Sequence, residues 1–76
     1  MEDWALKIDR HMDFLAAGTV IVDLRTLGAW ELKTAYDRIN GCYYADLIAY
    51  DEDGEVLILE TNKALTLDDL IGCYIV

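Results

Sequence analysis

"AWELKTAYDRING", residues 29–41, is the stretch whose reading decides the fold. As a helix, Leu32, Ala35, Tyr36 and Ile39 share one face, and Asn40-Gly41 supplies a left-handed cap. As a strand, Trp30, Leu32 and Tyr36 alternate with Glu31, Lys33 and Asp37, and Asn40-Gly41 becomes a type I′ hairpin turn. The Ala, Glu, Leu, Lys and Arg content favours the helix, while Trp30 on its polar face opposes it. The helix, over about residues 29–39, is the expected state.

On the N-terminal side, Trp4, Ile8, Met12 and Leu15 recur at helical spacing, with Asp3, Lys7, Arg10 and Asp13 on the other side and Gly18 as a stop. This predicts a helix over residues 2–17. "TVIVDL", 19–24, is β-branched and apolar and reads as a strand. On the C-terminal side, "CYYADLIAY" (42–50) and "EVLILE" (55–60) read as the two strands of a hairpin joined by "DEDG". Thr66 opens "TLDDLIG" with Asp69 at the capping-box position, which predicts one helical turn. "CYIV" closes the chain as a last strand.

The expected fold is therefore α+β: an N-terminal helix, then a small, mostly antiparallel sheet with a second helix at about 29–39, in one compact domain spanning 1–76. The alternative, with residues 29–39 extended, is an N-terminal helix followed by five strands. That order, with a helical turn before the final strand, resembles the small SH3-like and Sm-like barrels. Among these, the acidic Rho-inhibiting antiterminators of bacteria also begin with a helix and cover an RNA-binding surface, so the resemblance implies an inhibitory binding role.

With 76 residues, a hydrophobic fraction of 55% and eight aromatic side chains, the chain is too apolar to be a disordered linker, despite a net charge of −9. The acidity is concentrated: residues 41–76 hold eight of the fifteen acids and one base, Lys63. Phosphate binding needs Lys and Arg, so direct binding to nucleic acid is disfavoured, and a basic protein surface is the expected partner. "MEDWALKIDR" is acidic where a secretion signal is basic, and no run reaches the roughly 20 apolar residues of a membrane helix. A cytoplasmic chain without membrane contact is expected, with Cys42 and Cys73 as free buried thiols.

Asp51, Asp53, Gly54 and Glu60 fit positions 3, 5, 6 and 12 of a calcium loop, but Ala49 stands at position 1, where a ligand is required. "ADLIAYDEDGEVLILETNK" resembles the core of the restriction-endonuclease-like family, which implies Asp46 and Glu60 as metal-holding acids and Lys63 beside the attacked phosphate. Two residues, Thr61 and Asn62, separate Glu60 from Lys63 where that family has one, and on a strand the extra residue turns Lys63 to the other face. His11, Cys42 and Cys73 are too dispersed for a zinc site. The chain has no serine.

The expectation is thus a non-enzymatic, cofactor-free module that engages a basic partner, of the kind that anti-restriction and anti-CRISPR nucleic-acid mimics resemble in size and acidity. Asp51, Glu52, Asp53, Glu55, Asp68 and Asp69 are the expected charged contacts, with Tyr44 and Tyr50 as anchors. A metal-dependent nuclease-like fragment on Asp46, Glu60 and Lys63 is the alternative. A self-associating domain is another, with "IGCYIV" as an edge strand for a homodimer.

Overall fold

The computed structural model describes residues 6–26 and 28–76. Within them, six strands form one sheet: β1 (Leu6–Lys7), β2 (Val20–Asp23), β3 (Gly28–Leu32), β4 (Cys42–Tyr50), β5 (Val56–Thr66) and β6 (Tyr74–Ile75). The order across the sheet is β1-β6-β2-β3-β4-β5, with every neighbouring pair antiparallel. The single helix among the described residues, α1 (Leu67–Leu70), lies between β5 and β6.

This corrects both expected architectures, because each began with a helix. Residues 2–5 of that helix lie outside the described residues. Residues 6–7 are a strand, and 8–19 run as turns and irregular chain. The physical reason is local. The Asp9 carboxylate accepts the His11 N–H at 2.7 Å, and the Asp9 carbonyl accepts the Met12 N–H at 3.2 Å. Such side-chain turns compete with helical hydrogen bonds. The segment is instead anchored at its two ends. Ile8 exchanges backbone bonds with Cys73 (2.7 Å) and Gly72 (2.9 Å), and Gly18 N–H reaches the Leu32 carbonyl at 2.7 Å. Between these anchors Ile8, Met12 and Leu15 still pack on the core. Their spacing identified buried residues correctly, but an irregular strap buries them.

The second helix is also corrected. Residues 28–32 are a strand inside the sheet, hydrogen-bonded to β2 on one side and β4 on the other. Leu32, fully buried, pairs with Ala45, and Trp30 pairs with Leu47. The chain then turns back at Asp37. Its carboxylate accepts N–H groups from Ile39 (2.9 Å) and Asn40 (3.1 Å) and the Asn40 amide at 2.8 Å. Gly41 follows with φ of 69°, where a side chain is strained. Ile39, assigned above to the core face of a helix, is 95% exposed at the tip of this turn.

The core gathers on one face of the sheet: Ile21, Leu32, Tyr43, Ala45, Leu65, Leu70 and Cys73, with Ile8 from the strap. Tyr43 joins the two layers. Its ring is 1% exposed, and its hydroxyl accepts the Leu15 N–H at 2.8 Å. Beside it, Tyr36 lies tilted against Tyr43 at 5.2 Å between centroids and stacks on Phe14 at 4.5 Å. Arg38 covers the outer face of Phe14 at 5.7 Å. Both cysteines are buried and free. No helix among the described residues is long and apolar enough to cross a membrane.

Two outcomes follow from these contacts. Tyr43→Phe keeps the ring but leaves the Leu15 N–H without its acceptor. Urea unfolding should show a loss of about 1–2 kcal/mol, and amide exchange at Leu15 should quicken while that of β3 tracks only the global loss. Asp37 provides a pH test. Its carboxyl is held below the ordinary range by the Asn40 side chain first, then by the Asn40 and Ile39 N–H groups. A depressed folded value stabilises the fold above the unfolded carboxyl's pKa, and the stabilisation fades as pH falls through the folded value. Thermal melts taken from about pH 6 to about pH 2.5 should therefore fall less steeply for Asp37→Asn than for wild type.

Candidate partner surface

The expected contact acids fall into two groups with different fates. In the β4–β5 turn, Asp51 is consumed by the turn itself. Its carboxylate accepts the N–H groups of Asp53 and Glu55, both at 2.9 Å, while its backbone pairs with Glu55 and Gly54 at 3.0 Å. Glu52, Asp53 and Glu55 are exposed. In α1, Asp69 completes the capping box: it accepts the Thr66 N–H at 2.9 Å, and Thr66 Oγ1 accepts the Asp69 N–H at 3.3 Å. Asp68 stays free on the surface between two clefts of about 210 and 310 Å³. The two ion pairs among the described residues, Arg25–Asp23 and Lys33–Asp46, involve none of these acids.

The two groups are not one patch. The turn precedes β5 and α1 follows it, so the eleven residues of β5 separate them, a span of roughly 30 Å along an extended chain. The tyrosines divide as well. Tyr50, at the end of β4 beside the acidic turn, is exposed, and its cross-strand partner is Val56. Tyr44 is half-buried and receives the Asn40 amide at 3.3 Å. Its hydroxyl titrates above the ordinary phenol range, chiefly through the Cys42 thiol beside it. Tyr44 therefore belongs with the Asp37 turn, at the far end of β4 from the acidic turn. Of the expected anchors, only Tyr50 joins the charged tip.

The nuclease-like constellation does not assemble. Along β4–β5, Ala45 pairs with Lys63 and Leu47 with Glu60, which puts Lys63 and Glu60 on the face of Tyr43 and Ala45. Asp46 points to the other face, where it is 3% exposed. There it meets Lys33 Nζ at 3.5 Å and accepts the Asn62 N–H at 3.3 Å. Asn62 has φ of 53° and stands in one of two bulges. The pairing moves from Ala45–Lys63 to Leu47–Glu60 and then to Ile48–Ile58, so β5 carries an extra residue at each step. Asp46 is thus a structural acid that holds the bulge. A single carboxylate inside the apolar run "CYYADLIAY" was the available signal for such a role, because a buried charge requires a partner. Lys33, that partner, was overlooked. Among the described residues no three His, Cys, Asp or Glu side chains are grouped to hold a metal ion.

Sequence reasoning missed a second feature. Val56, Leu57, Ile58 and Leu59 are all about half exposed, on a strand at the edge of the sheet. The expected edge strand, "IGCYIV", ends in β6, which lies between β1 and β2. Around Cys73, burial raises the thiol above its ordinary range, with the Asp23 charge adding to this and Arg25 opposing it.

Comparison with known proteins adds nothing to this geometry: no protein-family model, no curated protein and no solved structure matches the chain.

The Asp46 pair predicts an asymmetry. Glu31 is directly opposite Asp46 across β3–β4, and like charges so placed repel. Lys33→Ala leaves the buried carboxylate facing Glu31 without a cation and should cost about 2–4 kcal/mol. Asp46→Asn removes the repulsion and frees Lys33, already 46% exposed, to rehydrate, so it should cost only about 1 kcal/mol. Chemical denaturation of both variants checks the order.

Proposed function

We propose that this protein is a small, non-enzymatic, cytoplasmic binding module whose acidic hairpin tip docks on a basic surface of another protein. The observation that carries this reading is the tip itself: Glu52, Asp53 and Glu55 are exposed, outside both ion pairs, and sit beside the exposed Tyr50. Asp51 shapes that turn from within and so contributes form rather than contact. Carboxylates held this way can take the places of phosphates on Arg and Lys side chains. A nucleic-acid-binding protein is the natural class of target, and occupying its basic site would make this module an inhibitor of the anti-restriction or anti-CRISPR kind. Asp68, at the far end of β5, is a separate charged point that a long basic groove could also reach.

The test is capture from host lysate by the tagged protein, compared with the triple variant Glu52→Lys/Asp53→Lys/Glu55→Lys. The expected result is a nucleic-acid-binding protein retained at low salt, released at high salt, and bound at least about tenfold more weakly by the variant. Retention that is indifferent to salt and to charge reversal at the tip overturns the reading.

A further inference from the structure

The turn between β3 and β4 holds an asparagine followed by a glycine, and this pair carries covalent chemistry that the acidic tip does not use. A backbone nitrogen can attack the side-chain amide of an asparagine just before it, and the attack is easiest where the attacking residue has no side chain. The chain has two asparagines and no glutamine. Asn62 precedes Lys63, whose side chain crowds the nitrogen, and only Asn40 precedes a glycine. Gly41 is required for its φ of 69° and not for lack of space, since the nearest atom to an added Cβ is the Tyr36 hydroxyl oxygen at 3.7 Å.

In the folded turn both reacting groups are tied to Asp37. The Gly41 N–H donates to the Asp37 carbonyl at 2.8 Å. The Asn40 side-chain amide donates to Asp37 Oδ2 at 2.8 Å and to the Tyr44 hydroxyl at 3.3 Å. Between them the Asn40 N–H donates to Asp37 Oδ1 at 3.1 Å, which fixes the connecting backbone. Attack requires Gly41 to give up its proton and the Asn40 side chain to swing onto the Gly41 nitrogen. The first step breaks the bond to the Asp37 carbonyl and builds negative charge near the Asp37 carboxylate. The second breaks both bonds of the amide.

We infer that Asn40 is a deamidation site that the Asp37 turn keeps shut, and that its modification opens the turn irreversibly. In an opened turn the Gly41 nitrogen loses its proton to water, bonds to Asn40 Cγ and expels Nδ2 as ammonia, which leaves a cyclic imide. Water then adds to either imide carbonyl and breaks its bond to nitrogen. The product at position 40 is an aspartate, or an isoaspartate whose main chain runs through Cγ. Either puts a carboxylate where an amide donor stood 2.8 Å from Asp37 Oδ2. The new group cannot donate, and like charges at that distance repel. Isoaspartate also lengthens the loop by a backbone atom, so the bonds of Gly41 and Cys42 to the Asp37 carbonyl lose their register. The Asp37 turn joins the start of β4, whereas the acidic tip follows its end, so this inference is independent of partner binding.

Native and urea-unfolded protein, incubated side by side in neutral buffer, test the protection. Peptide mapping by mass spectrometry reads conversion at position 40, with Asn62 as the internal comparison. Native wild type should convert at least about tenfold more slowly than the unfolded chain. Asp37→Ala removes the carboxylate and should convert at least about tenfold faster than native wild type, at a temperature where its melt shows it folded. Tyr44→Phe removes the longer bond, keeps the ring, and should accelerate conversion by a smaller factor. Native conversion as fast as in urea overturns the inference, as does a folded Asp37→Ala no faster than wild type. Should Asp37→Ala fail to fold, Tyr44→Phe without acceleration overturns it. The opening is read on Asn40→Asp. Asp37, whose carboxyl is held low chiefly by the Asn40 side chain, should titrate higher by NMR. Amide exchange from Ile39 to Gly41 should quicken at least about tenfold while that of the β4–β5 ladder does not. Exchange in the turn that matches wild type overturns the opening.

Discussion

The fold depends on β3 being a strand with neighbours on both sides. Gly28–Leu32 takes its register from β2 and from β4, and this places Leu32 and Trp30 over the face that the strap and α1 cover. Were these residues helical, β2 and β4 would each lose a neighbour, and Leu32 would leave the centre of the core. The strap, the turn at Asp37 and the hairpin all follow from this strand. The strap is tied to the Leu32 carbonyl through Gly18, and Leu32 N–H bonds to the Thr19 carbonyl at 2.9 Å. The turn exists because β3 must be followed by an antiparallel return.

Periodicity misled at both ends of β3 for the same reason. Propensity is worth a few tenths of a kcal/mol per residue, whereas an aspartate that captures backbone N–H groups commits a turn outright. Asp9 does so in the strap and Asp37 in the loop. Both lie within the stretches expected to be helical, 2–17 and 29–39. The hairpin was legible, because its β-branched and aromatic runs flank a turn rich in Asp and Gly. So was the capping box of Thr66 and Asp69, whose geometry spans only four residues. What was not legible was which strand would sit at the edge. That depends on strand order, a tertiary property, and the final strand of the chain lies inside the sheet.

The same difference between local and tertiary information divides the acids. Eight carboxylates in residues 41–76 looked like one acidic surface. The fold assigns Asp46 to a bulge, Asp51 to a turn and Asp69 to a helix cap. Each of the three accepts at least one backbone N–H, which fixes its position and lowers its availability to a partner. Only the acids that do no such work are free to recognise anything, and at the hairpin tip these are Glu52, Asp53 and Glu55.

Net charge and edge strand then oppose each other usefully. An uncharged, half-exposed apolar edge is a hazard if pairing can continue without end, since heterologous strand addition leads to fibres. A charge of −9 raises the cost of each added copy. One bulge at Leu59 and a second at Thr61–Asn62, held by Asp46, interrupt the strand beyond Ile58, so that the regular segment is too short for an extended flat ladder. The buried acid on the face opposite the core thus limits what the exposed edge can bind, although it touches no partner itself.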